Sequence, residues 1–362
     1  MPQMGLGTSG LTGKACVDAV AAWLRLGGRY VDTALLYGNQ REVGEGIRQS
    51  GVPREDVFLC TKVAFFPADS DASTWMFRDR GGAANLKGGE EASLDLCLEE
   101  LGVGYVDLLL VHSPCTSAAE YRAASAPHFF ELSRLHGKAG AVPEALPDGT
   151  LLRPLVLTHQ RAAAAQAARA EGRGPVEALA AVEATWRALE RCKASGKARH
   201  VGVSNFPAEL LEAMAEFPAP AAYPAVNQLE MHPRFASPRL RAVASQRGCV
   251  LIGYGLNHAL QILAQGGGSG GEVVASVARR CGGTPTQVLL AWLRTKGAVS
   301  IPRSRDPAHM SENLAALDLD LSAGDVAALD ALDADHPHYW MPQATVDAIS
   351  LAPSPACGLW PV

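Results

Sequence analysis

The stretch Gly27–Ile47, GGRYVDTALLYGNQREVGEGI, decides the fold. It opens on turn-forming glycines, runs through the β-rich segment Tyr30–Ala34, and passes over a short loop into Glu42–Gln49, where apolar residues recur at helical spacing. A strand that feeds straight into a helix is one βα unit. The same alternation extends to both sides of it. Further strands are expected at Met4–Thr8, Val57–Val63, Val106–His112, His200–Ser204, Ala225–Met231, Val250–Tyr254 and Ala298–Ile301, which makes eight. Helical patterns fall between them at Lys14–Leu26, Ala92–Leu101, Val176–Ser195, Pro207–Glu216, Pro238–Gln246 and Thr284–Thr295, with Ser311–Leu317 and Ala323–Leu332 after the last strand. Alternating strands and helices require parallel crossovers, and eight such strands can close on themselves. The expected class is α/β: a (β/α)8 TIM barrel with a long insertion after the fourth strand and a C-terminal tail. The rival is a doubly wound sheet. Its fingerprint would be Gly5–Gly10, GLGTSG, but Gly13 intervenes before any helix and no acidic ribose partner follows in a clean βαβ unit.

A barrel of this kind needs about 250 residues, whereas the chain has 362. Residues 1–330 are therefore expected to form one barrel domain that carries an insertion at 114–175, with residues 331–362 as a tail. The insertion contains the aromatic patch His128-Phe129-Phe130 and the Ala/Arg-rich run Arg161–Arg173, and reads as a lid or a partly disordered loop. The glycine-rich run Gly266–Gly271 reads as a flexible connector after the seventh strand.

Charge narrows the function classes. With 37 acidic against 32 basic residues and a net charge of −5, the chain has no electrostatic footprint for nucleic acid or an anionic membrane. No apolar stretch reaches the ~18 to 20 residues of a membrane span, and Met1-Pro2-Gln3-Met4 lacks the features of an export leader. A soluble, cytoplasmic monomer acting on a small molecule is the expectation. The 8 cysteines are scattered without a C-x-x-C pair or zinc spacing, so reduced thiols and no metal are expected.

Four polar residues fall where a parallel barrel places its chemistry, at or just beyond the C-terminal ends of consecutive strands. Asp32 follows the apolar Tyr30-Val31, Tyr37 comes five residues later, Lys62 ends VFLCTK and His112 ends VDLLLVH. Each has a plain structural reading: a helix cap, a rim residue, a strand-end charge and a core histidine. Together they read differently. A Lys and an Asp at neighbouring strand ends can pair in a partly dry pocket within reach of a phenol. The ammonium is then expected to lower the Tyr37 pKa from about 10 and make it a proton donor. A neutral His112 can direct an N–H at the same oxygen.

These segments resemble the signatures of the aldo-keto reductases, (β/α)8 barrels that reduce aldehydes and ketones with NADPH. Besides Gly27–Ile47, Thr61-Lys62 and VDLLLVHSP, the resemblance extends to WRALERCKASGKARHVGVSNF (Trp186–Phe206), NQLEMHP (Asn227–Pro233) and IPRSRDPAHMSEN (Ile301–Asn313). It implies Asp32, Tyr37, Lys62 and His112 as the catalytic set. It implies Ser204, Asn205 and Gln228 on the nicotinamide carboxamide and Tyr254 as the platform for its ring. Arg303 and Ser304 would lie on the 2′-phosphate side, and Glu312 and Asn313 near adenine. The chain departs from the family at Arg303, where lysine is usual, and at His309, where many members carry a phosphate-binding arginine. It departs again at Ser9, where a tryptophan often lines the substrate pocket, and at YGLNHAL (Tyr254–Leu260) where YSPLG is common. NADPH is the implied cofactor, with NADH as the alternative. Candidate substrate walls are Phe65, Phe66, Trp75 and Trp340, with Phe129-Phe130, Tyr339 and Trp360 also on loops. Two other functions are open to the same residues: an NADPH-binding, redox-sensing barrel with negligible turnover, and a Schiff-base aldolase using Lys62.

Overall fold

The computed structural model describes residues 1–63, 89–114, 175–219, 221–256, 260 and 269–334. All eight expected strands form: β1 Leu6–Gly7, β2 Tyr30–Asp32, β3 Phe58–Val63, β4 Val106–Val111, β5 Ala198–Ser204, β6 Val226–Glu230, β7 Val250–Tyr254 and β8 Val299–Ser300. Each pairs in parallel with the next in chain order. The outer strands then meet. Gly5 N–H donates to Ser300 O at 2.8 Å, Ser300 N–H to Gln3 O at 3.1 Å, and Gly7 N–H to Pro302 O at 3.0 Å. Closure removes the edges an open sheet would expose, as the alternating pattern required.

The helices among the described residues are α1 Gly13–Arg25, α2 Gln40–Ser50, α3 Gly89–Leu101, α4 Pro175–Ala194, α5 Ala208–Met214, α6 Pro238–Gln246, α7 Ser269–Cys281, α8 Pro285–Thr295, α9 Pro307–Ala315 and α10 Ala323–Asp330. Two differ from expectation. The connector expected at Gly266–Gly271 gives way at Ser269 to α7, because Val274, Val277 and Ala278 lie at helical spacing and are buried. The glycines that begin α7 hid it in the sequence. The helix expected from Ser311 begins instead at Pro307, where the Asp306 side chain accepts the Ala308 N–H at 2.8 Å and Pro307 occupies the first turn.

Period-2 alternation sorts the strand residues. Val31, Leu59, Leu109, Val111, Val203 and Leu229 are buried on the helix side. Their neighbours Tyr30, Cys60, Leu108, Leu110, Val226, Ile252, Val299 and Ile301 form one buried cluster that fills the barrel. At Gly202 the barrel has no room for a side chain: a Cβ there would lie 2.5 Å from Val226 O and 2.9 Å from Leu110 Cδ2.

The chain divides into two units. Met1–Ala64, Glu90–Ser113 and Ala188–Tyr339 form the first and hold all eight strands. Phe65–Gly89, Pro114–Arg187 and Trp340–Val362 form the second, of which Gly89, Pro114 and the leading part of α4 are described. The interior of the expected insertion and the residues after 334 lie outside the described residues. The cysteines at 16, 60, 97, 192, 249 and 281 are free thiols.

Candidate active site

The site is one inward step above the barrel core. Inward positions on β2 are Tyr30 and Asp32; on β3 they are Phe58, Cys60 and Lys62; on β6, Val226 and Gln228. Asp32 and Lys62 thus meet at the C-terminal end of the apolar interior, at 1% and 0% exposure. Lys62 Nζ donates to Asp32 Oδ1 at 2.5 Å, to Thr33 O at 3.0 Å and to the Tyr37 hydroxyl at 3.3 Å. Burying two charges is costly unless they pair and their remaining donors and acceptors are met. Here Asp32 Oδ2 accepts from the Tyr30 hydroxyl at 3.1 Å and from Gln228 Nε2 at 2.7 Å.

Tyr37 reaches the pair because the chain after β2 folds into a single 3-10 turn, Leu35–Tyr37, closed by Gly38 in the left-handed region at φ 64. Buried Asn39 pins this turn: its Nδ2 donates to Thr8 O and Leu11 O at 2.8 and 2.9 Å, and its Oδ1 accepts from Thr33 Oγ1 at 3.1 Å. His112, just beyond β4, sets its ring edge-on to Tyr37, with centroids 5.6 Å apart. The expected four are therefore brought together.

Their electrostatics correct one expectation. Burial pushes the Tyr37 phenol above its ordinary value; Lys62 pulls it down, as foreseen, but Asp32 pushes it up again. The direction in this ligand-free site is upward, because desolvation, which composition cannot reveal, outweighs the ammonium. Burial also opposes the charge on Lys62, yet Asp32 holds Lys62 above its ordinary range. His112 is lowered to about 3, by burial first and then by Lys62, so the imidazole is neutral.

A second group lines the same mouth. Ser204 ends β5 and donates to Gln228 O at 2.9 Å. Asn205 follows in the left-handed region at φ 62, donating to His112 O at 2.9 Å and accepting from the Tyr254 hydroxyl at 2.6 Å. Gln228 turns its amide to Asp32, as above. The third group follows β8. Arg303 donates to Ser9 O at 2.7 Å, and Ser304 caps the turn into α9 through the Asp306 N–H at 3.0 Å. His309 is exposed, 3.9 Å from Asp306. Glu312 is engaged by Thr284 Oγ1 at 2.5 Å, and Asn313 is buried. Phe65, Phe66, Trp75 and Trp340, with Phe129, Phe130, Tyr339 and Trp360, lie outside the described residues. Tyr30 reads in the sequence as part of an apolar run; its inward register two residues before Asp32 is the signal that its hydroxyl reaches the site.

An eight-stranded parallel barrel with its polar groups gathered at the C-terminal mouth defines a TIM-barrel enzyme. The chain belongs to the aldo/keto reductase family, whose model matches residues 3–334, and is an oxidoreductase of carbonyl groups. It is 29% identical over 333 residues to an aldo-keto reductase of Mycolicibacterium smegmatis, covering 92% of this chain and 90% of that one. It is 28% identical over 352 residues to the NADPH-dependent D-xylose reductase of Meyerozyma guilliermondii, covering 92% and 91%. The fold matches the crystal structure of a Bombyx mori aldo-keto reductase in complex with NADP, with TM-score 0.64, 21% identity, and 93% and 91% of the two chains covered. Among the described residues no helix is long and apolar enough to cross a membrane, and no cluster of His, Cys, Asp and Glu is placed to hold a metal.

Proposed function

We propose that the protein reduces an aldehyde or ketone to an alcohol with NADPH, using Tyr37 as proton donor. The observation that carries this is the buried Asp32–Lys62 pair reaching the half-buried Tyr37 phenol, with the neutral ring of His112 beside the same phenol. The donor set suits a nicotinamide dinucleotide. One end offers the uncharged hydroxyl and amides of Ser204, Asn205 and Gln228 with the Tyr254 ring; the other offers the Arg303 guanidinium and the Ser304 hydroxyl, chemistry matched to a phosphate. A relative named for its NADPH dependence and a neighbour solved with NADP support the same choice over NADH. When bound, NADPH would supply the hydride taken up by the carbonyl carbon.

The chain's own residues do the rest. Tyr37 keeps its proton at neutral pH and delivers it to the carbonyl oxygen as negative charge develops there. Lys62 stabilises the phenolate left behind, and Asp32 keeps Lys62 charged and in place. His112, neutral and edge-on to Tyr37, can donate to the same oxygen and orient it. The redox-sensing alternative is less well supported, since the relatives are named as reductases and the four-residue set is intact.

Purified protein mixed with NADPH and a panel of aldehydes and ketones should consume the reduced-cofactor absorbance. Tyr37→Phe should lower kcat about 10²- to 10⁴-fold, the range for losing a positioned acid. Turnover by Tyr37→Phe at the wild-type rate would overturn the assignment.

A further inference from the structure

Asp32 carries more than its ion pair. Its Oδ1 faces Lys62, while its Oδ2 takes two donors, the Tyr30 hydroxyl at 3.1 Å and Gln228 Nε2 at 2.7 Å. Tyr30 cannot move away from this contact. It is fully buried, its ring packs edge-on against Phe58 with centroids 5.2 Å apart, and its carbonyl is held by Trp23 Nε1 at 2.9 Å. The ring also fills the space at Gly5, where a Cβ would lie 2.5 Å from Tyr30 Cδ1. The hydroxyl is thus fixed on the carboxylate by the packing of the barrel core.

We propose that Tyr30 is a positioning residue for proton transfer: acting through Asp32, it fixes the carboxylate and blunts the negative charge that Asp32 presents to Tyr37. The inference rests on the reductase reading above. Around Tyr37 the charged and titratable groups are Asp32 from β2, Cys60 and Lys62 from β3, and His112 beyond β4. Around Asp32 they are Tyr30 on its own strand and Cys60, Lys62 and Tyr37. Of these, Lys62 draws the Tyr37 phenol toward ionisation and Asp32 opposes it. A donor on Oδ2 disperses the Asp32 charge and so weakens the opposition. Burial, with Asp32 next, pushes the Tyr30 phenol well above its ordinary value, so Tyr30 remains a donor throughout the working range. If Gln228 serves a cofactor amide, the Tyr30 hydroxyl stays on Oδ2, with the Cys60 thiol beside the same carboxylate.

The test is Tyr30→Phe, which keeps the ring and removes only the hydroxyl. Tyr37 ionisation in the ligand-free protein is read from the tyrosinate absorbance difference between each background and its Tyr37→Phe partner. The midpoint should move up by about half a pH unit in Tyr30→Phe, a fraction of the effect of one charge-assisted hydrogen bond on its direct acceptor. The basic limb of kcat for carbonyl reduction should move the same way. A merely structural role would lower the melting temperature and leave both midpoints in place, and that result would overturn the proposal. Should the wild type reduce no carbonyl, the functional reading fails while the absorbance titration still decides the role of Tyr30.

Discussion

Neutral His112 ties the stability of the fold to pH in a calculable way. In the native protein its pKa is lowered to about 3, whereas in the unfolded chain it returns to about 6.5. Between those values the unfolded chain binds a proton that the native state does not, so stability falls as pH falls through the window. For a single group with these two pKa values, the loss is about 2 kcal/mol at pH 5 and about 3 kcal/mol at pH 4 relative to pH 7. These are upper bounds, because the ring is only half-buried and solvent screens part of the effect. Carboxylates also protonate in this range, so the wild-type curve alone would not isolate the histidine. His112→Gln supplies the reference. Urea unfolding of both proteins at pH 7, 6, 5 and 4 should show the variant losing less stability than the wild type on acidification, with the gap opening below pH 6. Among the described residues His112 Nδ1 has no hydrogen-bond partner, so the substitution breaks no such bond there. Parallel curves down to pH 4 would refute the claim that the native imidazole is held neutral.

Asp32→Asn should destabilise the fold by about 3 to 5 kcal/mol at pH 7, because it strands the fully buried Lys62 ammonium without its counter-charge. In the wild type Asp32 raises the Lys62 pKa, a contribution complete below about pH 10 and lost above it. Thermal melts should therefore show the gap between variant and wild type narrowing toward alkaline pH, and a gap that stays constant or is under about 1 kcal/mol would contradict the pairing. Gly202→Ala should cost about 1 to 3 kcal/mol in a urea titration, because its Cβ would meet the Val226 carbonyl oxygen, which cannot yield as a side chain can. An unchanged midpoint would show that the barrel interior is looser there than its packing indicates.

Asp32, Lys62 and His112 were legible because a parallel barrel turns strand order into a ring of strand ends, and each of them stands at the polar end of an apolar run. The eight strands were legible for the same reason: fully buried parallel strands leave short continuous apolar runs, recovered here with little more than their end residues displaced. Helix α7 was not, since its glycine-rich start carries the composition of a connector and only the burial of Val274 and Val277 shows which face packs. Tyr30 was not, because a tyrosine inside an apolar run is indistinguishable from a core aromatic until its hydroxyl has a direction.

The sign of the Tyr37 shift was the hardest to read, and it also changes how the chemistry is understood. Sequence placed an ammonium beside a phenol and so suggested an acid strengthened in advance. The structure gives a phenol held above its ordinary value by burial, with Lys62 only partly offsetting it. On the proposed mechanism this is the more useful resting state, because a donor must still hold its proton when the carbonyl arrives. The apolar barrel interior that raises the pKa also strengthens the pull of Lys62 on the phenolate once the proton has gone. Acidity is then drawn out by charge developing on the substrate oxygen, and the balance of Lys62 against Asp32 sets how much. That balance depends on every donor resting on Asp32, which is why a hydroxyl two residues away, in the barrel core, is expected to be visible in the pH dependence of the reaction.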